Sequence, residues 1–340
     1  MPSVMIHNST SSHNLTPTTE DFVQPKNGFN ITIMVMQVLV IIVALLGNIL
    51  ICSAILIHER LRTHFTNYFI FSLSLSDIIT AIIVMPMDVD QVLKNYKWTY
   101  GEAMCNIFTV AYLIAAPLSM LNLLAVSIDR YNAIANPLHY SNIMTPKVIV
   151  ASIFSLWTYA ILFTVIAMAG WPMYPSSVLY GTCHFNIKPA YSVVSSVINF
   201  VIPTIVMCVL YFKIYKVAHA HARRIGRHEN ISHSAVEYNS GTNGGGTSER
   251  RSMSKNIKAA KTIAILVSAF LFCWMPYTLV SSASILCGRK CYDNTPEEVI
   301  TLTLLLAYMN SALNPFLYAF HNRDFRESFR RLLKLQFHYI

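Results

Sequence analysis

Charge is scarce in this sequence. Only 12% of its 340 residues are Asp, Glu, Lys or Arg, against about a quarter in a soluble globular chain. That shortage excludes a second sizeable water-soluble domain. Acids are rarer still within the apolar stretches, where only Asp77 lies at mid-depth. A proton pump or transporter would string several through its core. None of the twelve histidines falls in the middle of an apolar stretch, so an intramembrane hydrolase lacks the paired ligands or Ser-His pair it needs. No internal repeat is evident, which weighs against an inverted-repeat transporter. A cleavable signal peptide is also missing, because the first apolar run starts near residue 31 and is too long for an h-region. That run is expected to act as its own insertion signal.

Apolar residues make up 54% of the chain. Most fall into seven stretches, at roughly 31–57, 68–93, 104–128, 148–170, 190–215, 258–286 and 299–320. A hydrocarbon core about 30 Å thick needs about 20 apolar residues in a helix. Backbone in lipid must satisfy its own hydrogen bonds, so each stretch is expected to be a helix. The fold class predicted is an all-α membrane protein, a seven-transmembrane helix bundle over 31–320. Seven crossings put the termini on opposite sides.

The net charge of +9 is unevenly placed. Of 25 Lys and Arg, 19 lie in the loops of one side and six on the other, a distribution that speaks for membrane orientation and against nucleic acid. By the positive-inside rule the rich loops are cytoplasmic and the N-terminus is outside. Residues 1–30 fit an extracellular tail, with Asn-x-Ser/Thr sequons at Asn8, Asn14 and Asn30. Four cysteines lie at the outer face. Cys105 opens span 3 and Cys183 sits in the following outer loop, where an oxidising environment allows a bridge. Cys287 and Cys291 form a C-x3-C at the outer end of span 6 and can also pair.

On the inner side, residues 219–254 hold arginines, then His, Ser and Asn, then a Gly run. They lack apolar residues for a core, so this third cytoplasmic loop is expected to be disordered. Residues 321–340 form a cytoplasmic end. Within it Phe325, Phe329, Leu332 and Leu333 share one face of a basic helix expected to lie on lipid of the inner leaflet. Polar groups inside the spans include Asn48, Asp77, Ser119, Asn310, Ser311 and Asn314. Their oxygens could coordinate a sodium ion, or form a hydrogen-bonded plug around a protonated Asp77; spacing alone does not choose.

Asp129-Arg130-Tyr131 ends span 3 on the basic side, and Asn314-Pro315-Phe-Leu-Tyr318 ends span 7. Cys273-Trp274-Met275-Pro276 interrupts span 6, and Pro203 lies in span 5; prolines kink helices by removing a backbone bond. With Gly47-Asn48, Asp77, Trp98, Trp157, Tyr211 and Phe270, these motifs resemble the rhodopsin-like (class A) G protein-coupled receptors over about 31–335. The resemblance implies a plasma-membrane receptor, not an enzyme, with a heterotrimeric G protein, arrestin and a receptor kinase as partners. An outer ligand would shift a pre-existing equilibrium between inactive and active bundles. Span 6 would swing outward, and Arg130, freed from Asp129, would meet the G protein. Asp129, Arg130, Tyr131, Tyr211, Asn314, Pro315 and Tyr318 take the coupling roles. Asp77, Ser119, Asn310 and Ser311 match the family's sodium pocket, so an allosteric sodium is the one cofactor expected. Where many relatives carry a glutamate to latch Arg130 from span 6, this chain has Asn256.

The ligand region is similar to the biogenic amine receptors of the adrenergic and octopamine-like branch. Ser195, Ser196 and Asn199 stand where hydroxyls bind a phenol, and Trp274, Tyr277 and Tyr308 suit an aromatic-lined pocket. The amine-holding aspartate of span 3 is missing. Tyr112 takes its place, and Ile107–Leu118 contains no acid. A cation in a dry pocket without a counter-charge is strongly disfavoured. Asp88 and Asp90, at the outer end of span 2, are substitutes, with Asp88 either facing the pocket or solvated at the rim. A neutral or zwitterionic ligand is the alternative, as in an adenosine-like or other non-amine (lipid or peptide) receptor of the same class. Runs such as Thr66-Asn67-Tyr68-Phe69 resemble adenosine receptors, whose span-7 histidine is here Tyr308. Span 7 has no lysine for a retinal Schiff base.

Overall fold

The computed structural model describes residues 28–94, 96–233, 244–287 and 295–337. Seven helices in it are long and apolar enough to cross a membrane. They are α1 (Gly28–Ile57), α2 (Thr66–Leu93), α3 (Gly101–Ala135), α4 (Pro146–Gly170), α5 (Pro189–Val217), α6 (Gly244–Cys287, of which Ile263–Ala283 is the apolar part) and α7 (Glu297–His321). An eighth helix, α8 (Arg323–Phe337), follows α7 after one extended residue, Asn322. The Asn322 side chain accepts from the Asp324 amide at 3.0 Å, an N-cap that starts α8 in a new direction. α4 starts likewise, with Thr145 accepting from the Val148 amide and Pro146 at the first helical position.

The packing inverts that of a soluble protein. Leu46, Leu56, Phe154, Phe272 and Phe320 are exposed around the outside, where lipid tails solvate them. Asn48, Ser76, Asp77, Asn122 and Asp129 are fully enclosed. A polar side chain in the membrane needs a partner across a helix interface. α3 is the hub, in contact with α2, α4, α5 and α6, while α7 joins α1 to α6. At the α1–α7 seam Gly47 lies against Pro315 so closely that no side chain fits between them.

Two helices widen where proline intrudes. π-helical turns occupy Thr80–Val84 in α2 and Val197–Val201 in α5. Each contains the residue four before a proline, Ile82 before Pro86 and Asn199 before Pro203. The proline ring collides with that carbonyl in a regular helix, and the wider turn relieves the collision.

The outer loop before α5 is ordered by a two-stranded hairpin, β1 (Val178–Leu179) and β2 (Thr182–Cys183). Tyr180 and Gly181 turn it with positive φ at both positions, a twist that suits a two-residue hairpin. The Cys105–Cys183 disulfide ties β2 to the outer end of α3. Cys291, the expected partner of Cys287, lies outside the described residues, as do Asn8 and Asn14. Asn30 is not in a tail: it sits half-buried in the first turn of α1.

The third cytoplasmic loop differs from its expected disorder. α5 continues to His233 and α6 begins at Gly244, so both flanks of 219–254 are helical. A helix that already has its nucleus propagates one hydrogen bond at a time and needs no core of its own. The apolar face of α8 is also divided. Phe325 and Phe329 are buried in the bundle, with Phe325 stacked 5.3 Å from Tyr318, while Leu333 points away.

Candidate functional site

Three polar or aromatic layers lie along the bundle axis. The outermost is a small, partly open pocket between α3, α5 and α6. Tyr112, Ser195, Ser196, Trp274 and Tyr277 line it, as expected from the sequence. So do Ser192, Phe200, Thr278 and Ser281, which motif reading missed. Helical spacing points to them, since Ser192 lies one turn before Ser195 and Ser196, and Thr278 one turn after Trp274. Asn199 does not line the cavity. It is fully buried, accepts from the Tyr159 hydroxyl of α4 at 2.9 Å and donates to Ser195 Oγ at 3.2 Å. The π-turn in α5 contains Asn199, and Tyr159 draws its amide toward α4. Two donors of the cavity wall, Trp274 Nε1 and the Tyr277 hydroxyl, are buried without a partner among the described residues. A bound molecule with acceptors can satisfy them.

A second, narrower pocket shares Tyr112, Ala116 and Trp274 with the first. Tyr308 forms part of its wall, and it reaches inward to Ser119 and Ser311. Asp88 is 6% exposed and accepts a hydrogen bond from the Tyr308 hydroxyl. It is therefore an interior residue and not a rim charge. Asp90 pairs instead with Lys94 at 3.1 Å.

The middle layer surrounds Asp77. Ser311 Oγ donates to its Oδ1 at 2.8 Å, Asn314 Nδ2 to its Oδ2 at 2.7 Å, and Ser119 Oγ stands 3.5 Å from Oδ1. Asn310 is buried but makes no hydrogen bond to Asp77 among the described residues. Asn48 donates to the Ser311 carbonyl, while its own Oδ1 is buried with no partner among the described residues. Just outward, Trp274 stacks on Phe270 at 6.0 Å and packs against Phe200 at 5.6 Å. Met120 and Phe270 are sealed in the core.

The inner layer closes on Arg130. Asp129 pairs with its Nη2 at 2.5 Å and accepts from its Nε at 2.9 Å. Two residues outside the sequence motif complete the cluster. Thr66 donates to Asp129 at 2.6 Å and accepts from Arg130, and the Tyr140 hydroxyl donates to Asp129 at 2.7 Å. Burial and the Asp129 charge push the Tyr140 phenol above its ordinary pKa, so it stays a donor. Nothing in the local sequence marks Thr66 or Tyr140; only the fold brings them there. Tyr211 accepts from Ser127 at 3.3 Å, whereas Tyr318 packs on Phe325. Tyr131 faces Lys213, whose Nζ lies 5.7 Å from its ring. Arg130 is thus held by its neighbours and not free at the inner face.

A cavity above, an aromatic stack below it and a pinned arginine at the far end form a device for moving a conformational signal. Sequence comparisons agree. The family described as 7 transmembrane receptor (rhodopsin family) matches residues 47–318. An octopamine receptor beta-2R from Chilo suppressalis is 34% identical over 318 residues, covering 88% of this chain and 78% of that protein. A histamine H2 receptor from Homo sapiens is 31% identical over 320 residues, covering 93% and 83%. An octopamine receptor beta-1R from Drosophila melanogaster is 32% identical over 314 residues, covering 88% and 61%. These relatives are receptors, and the family implies a multi-pass plasma-membrane protein with a small-molecule ligand and a heterotrimeric G protein as partner. The chain belongs to the rhodopsin family of seven-transmembrane, G protein-coupled receptors and is of the amine-receptor type.

Proposed function

We propose that this receptor takes a small aromatic ligand into the cavity between α3, α5 and α6 from the extracellular side, with its N-terminus outside. The observation that carries the reading is the shared wall. Trp274 lines the ligand cavity and stacks directly on Phe270, in the core of α6. A ligand that packs better when this pair has moved shifts the equilibrium by its differential affinity for the two states. Ser195 and Ser196 would bind ring hydroxyls of the ligand, with Tyr277 and Trp274 as donors. Octopamine and histamine, named in the relatives, are small aromatic amines.

Movement of α6 would open the inner face and release Arg130 from Asp129, Thr66 and Tyr140 to contact the Gα subunit. Arrestin and a receptor kinase would act on the same opened face, and α8 would rest on inner-leaflet lipid. A sodium ion fits the oxygens offered by Asp77, Ser119 and Ser311, since hard cations take carboxylate and hydroxyl ligands. The orphaned Asn48 Oδ1 supports an added positive or donor group nearby. When bound, the ion holds α2, α3 and α7 together in the closed state.

The test is a screen of aromatic amines, nucleosides and lipids on transfected cells, read by cyclic AMP and calcium. The expected result is a saturable response that vanishes in Arg130→Ala at equal surface expression. A response that persists in Arg130→Ala would overturn the coupling role.

A further inference from the structure

Asp88 is treated differently from every other acid within α2 and α3. Asp77 accepts from Ser311 and Asn314 and has Ser119 beside it. Asp129 has Arg130, Thr66 and Tyr140. Asp90 pairs with Lys94, and Glu102 accepts from the Ser177 amide. Asp88 has a single donor among the described residues, the neutral hydroxyl of Tyr308. No Lys, Arg or His among those residues pairs with it, although its exposure is only 6%. A carboxylate withdrawn from water at this depth is costly unless a cation or several donors compensate it. One phenol is too little.

Its position says which ligand group could face it. Asp88 lies eleven residues, about three helical turns, outward of Asp77. Its partner Tyr308 forms a wall of the second cavity, and Tyr112 forms a wall of both. Tyr112 also packs edge-on against Phe185 at 5.2 Å. Asp88 lines neither cavity itself and sits directly behind Tyr308; an ammonium that shares or displaces the Tyr308 hydroxyl would pair with its charge, with aromatic walls beside it. An aromatic ring on that amine would extend past Tyr112 toward Trp274, since both residues line both cavities.

We infer that the ligand is a small monocationic amine whose ammonium is held by Asp88 of α2, beside Tyr308 and Tyr112, and not by any acid of α3. The Tyr308 hydroxyl keeps the carboxylate satisfied until the amine arrives. This rests on the receptor reading of the α3–α5–α6 cavity.

The experiment uses the full-length receptor in transfected cells. Tyramine, octopamine, dopamine, serotonin and histamine are each compared with an analogue in which hydroxyl replaces the amine. The expected result is activation by at least one amine, with its uncharged analogue inactive at a hundredfold higher concentration. Asp88→Asn should raise the half-maximal concentration at least tenfold, the usual weight of a buried charge-assisted hydrogen bond. Should that variant fail to reach the surface, the amine-versus-analogue comparison on wild type still decides. Combining Asp88→Asn with Tyr112→Asp should restore amine sensitivity, since the charge then comes from α3. Equal potency of amine and analogue would overturn the inference, as would an Asp88→Asn response unchanged from wild type. Silence toward all five amines would overturn it too. If basal G protein signalling that Arg130→Ala removes persists through that silence, the receptor reading stands. Without such signalling, both fall.

Discussion

Replacing Gly47 by alanine should loosen the α1–α7 seam. An added Cβ would sit 2.3 Å from Pro315 Cγ and 2.9 Å from Pro315 Cβ. The first contact is about 1.2 Å short of the 3.5 Å at which carbon atoms touch without strain. A change of ring pucker can move Cγ, but Cβ is fixed to the backbone, so the helices themselves must part. Parting strains the hydrogen bond from Asn48 Nδ2 to the Ser311 carbonyl, 2.9 Å across the same seam. Overpacking of this kind costs about 1–3 kcal/mol. Alanine's better helix propensity returns up to about 1 kcal/mol. With the full return taken off, the net loss is up to about 2 kcal/mol, or a fall of up to roughly 8 °C in the unfolding midpoint. The assay is thermal unfolding of purified receptor in detergent. Gly170→Ala is the control, because an added Cβ there meets nothing within 4 Å. Equal midpoints for the two variants would refute the reasoning.

Three other outcomes are expected. Sodium chloride should raise the unfolding midpoint of wild type above that in choline chloride, because an ion that binds only the folded bundle stabilises it; Asp77→Asn should abolish the difference, and equal wild-type midpoints would favour a simple polar plug. Cys105→Ser and Cys183→Ser should each lower surface expression or ligand binding, and the double variant should add nothing, since all three remove one tether. Burial lowers the His184 imidazole below its ordinary pKa. The folded chain thus binds protons less readily than the unfolded chain, and stability should fall as pH drops from 7 through about 6.5. That loss should shrink in His184→Gln; an unchanged pH slope would show that His184 is not its source.

The seven crossings were legible because membrane thickness dictates the length of each apolar run. Helix ends were not. α3 runs on to Ala135 and α5 to His233 through polar sequence, where hydrogen bonding within the helix replaces any hydrophobic signal. Motif residues such as Arg130 and Tyr318 could be named from their neighbours, but their partners could not. Thr66 and Tyr140 reach Asp129 from 63 and 11 positions away, and Asp88 meets Tyr308 across 220. The orientation of Asp88 is decided by how α2 packs against α7, which no single-helix pattern contains. Asn199 shows the converse. Its spacing put it with Ser195 and Ser196, yet Tyr159 on another helix turns it away from the cavity. The α5 and α6 hydroxyls at Ser192 and Thr278 could have been found by extending the helical period one turn from residues already singled out.

The most direct measurement is guanine-nucleotide exchange on purified heterotrimeric G protein by purified receptor, in its basal state and with the most potent compound from the ligand screen. The account predicts exchange by wild type and its loss in Arg130→Ala, with the variant still folded and still binding ligand. Undiminished exchange by Arg130→Ala would contradict it.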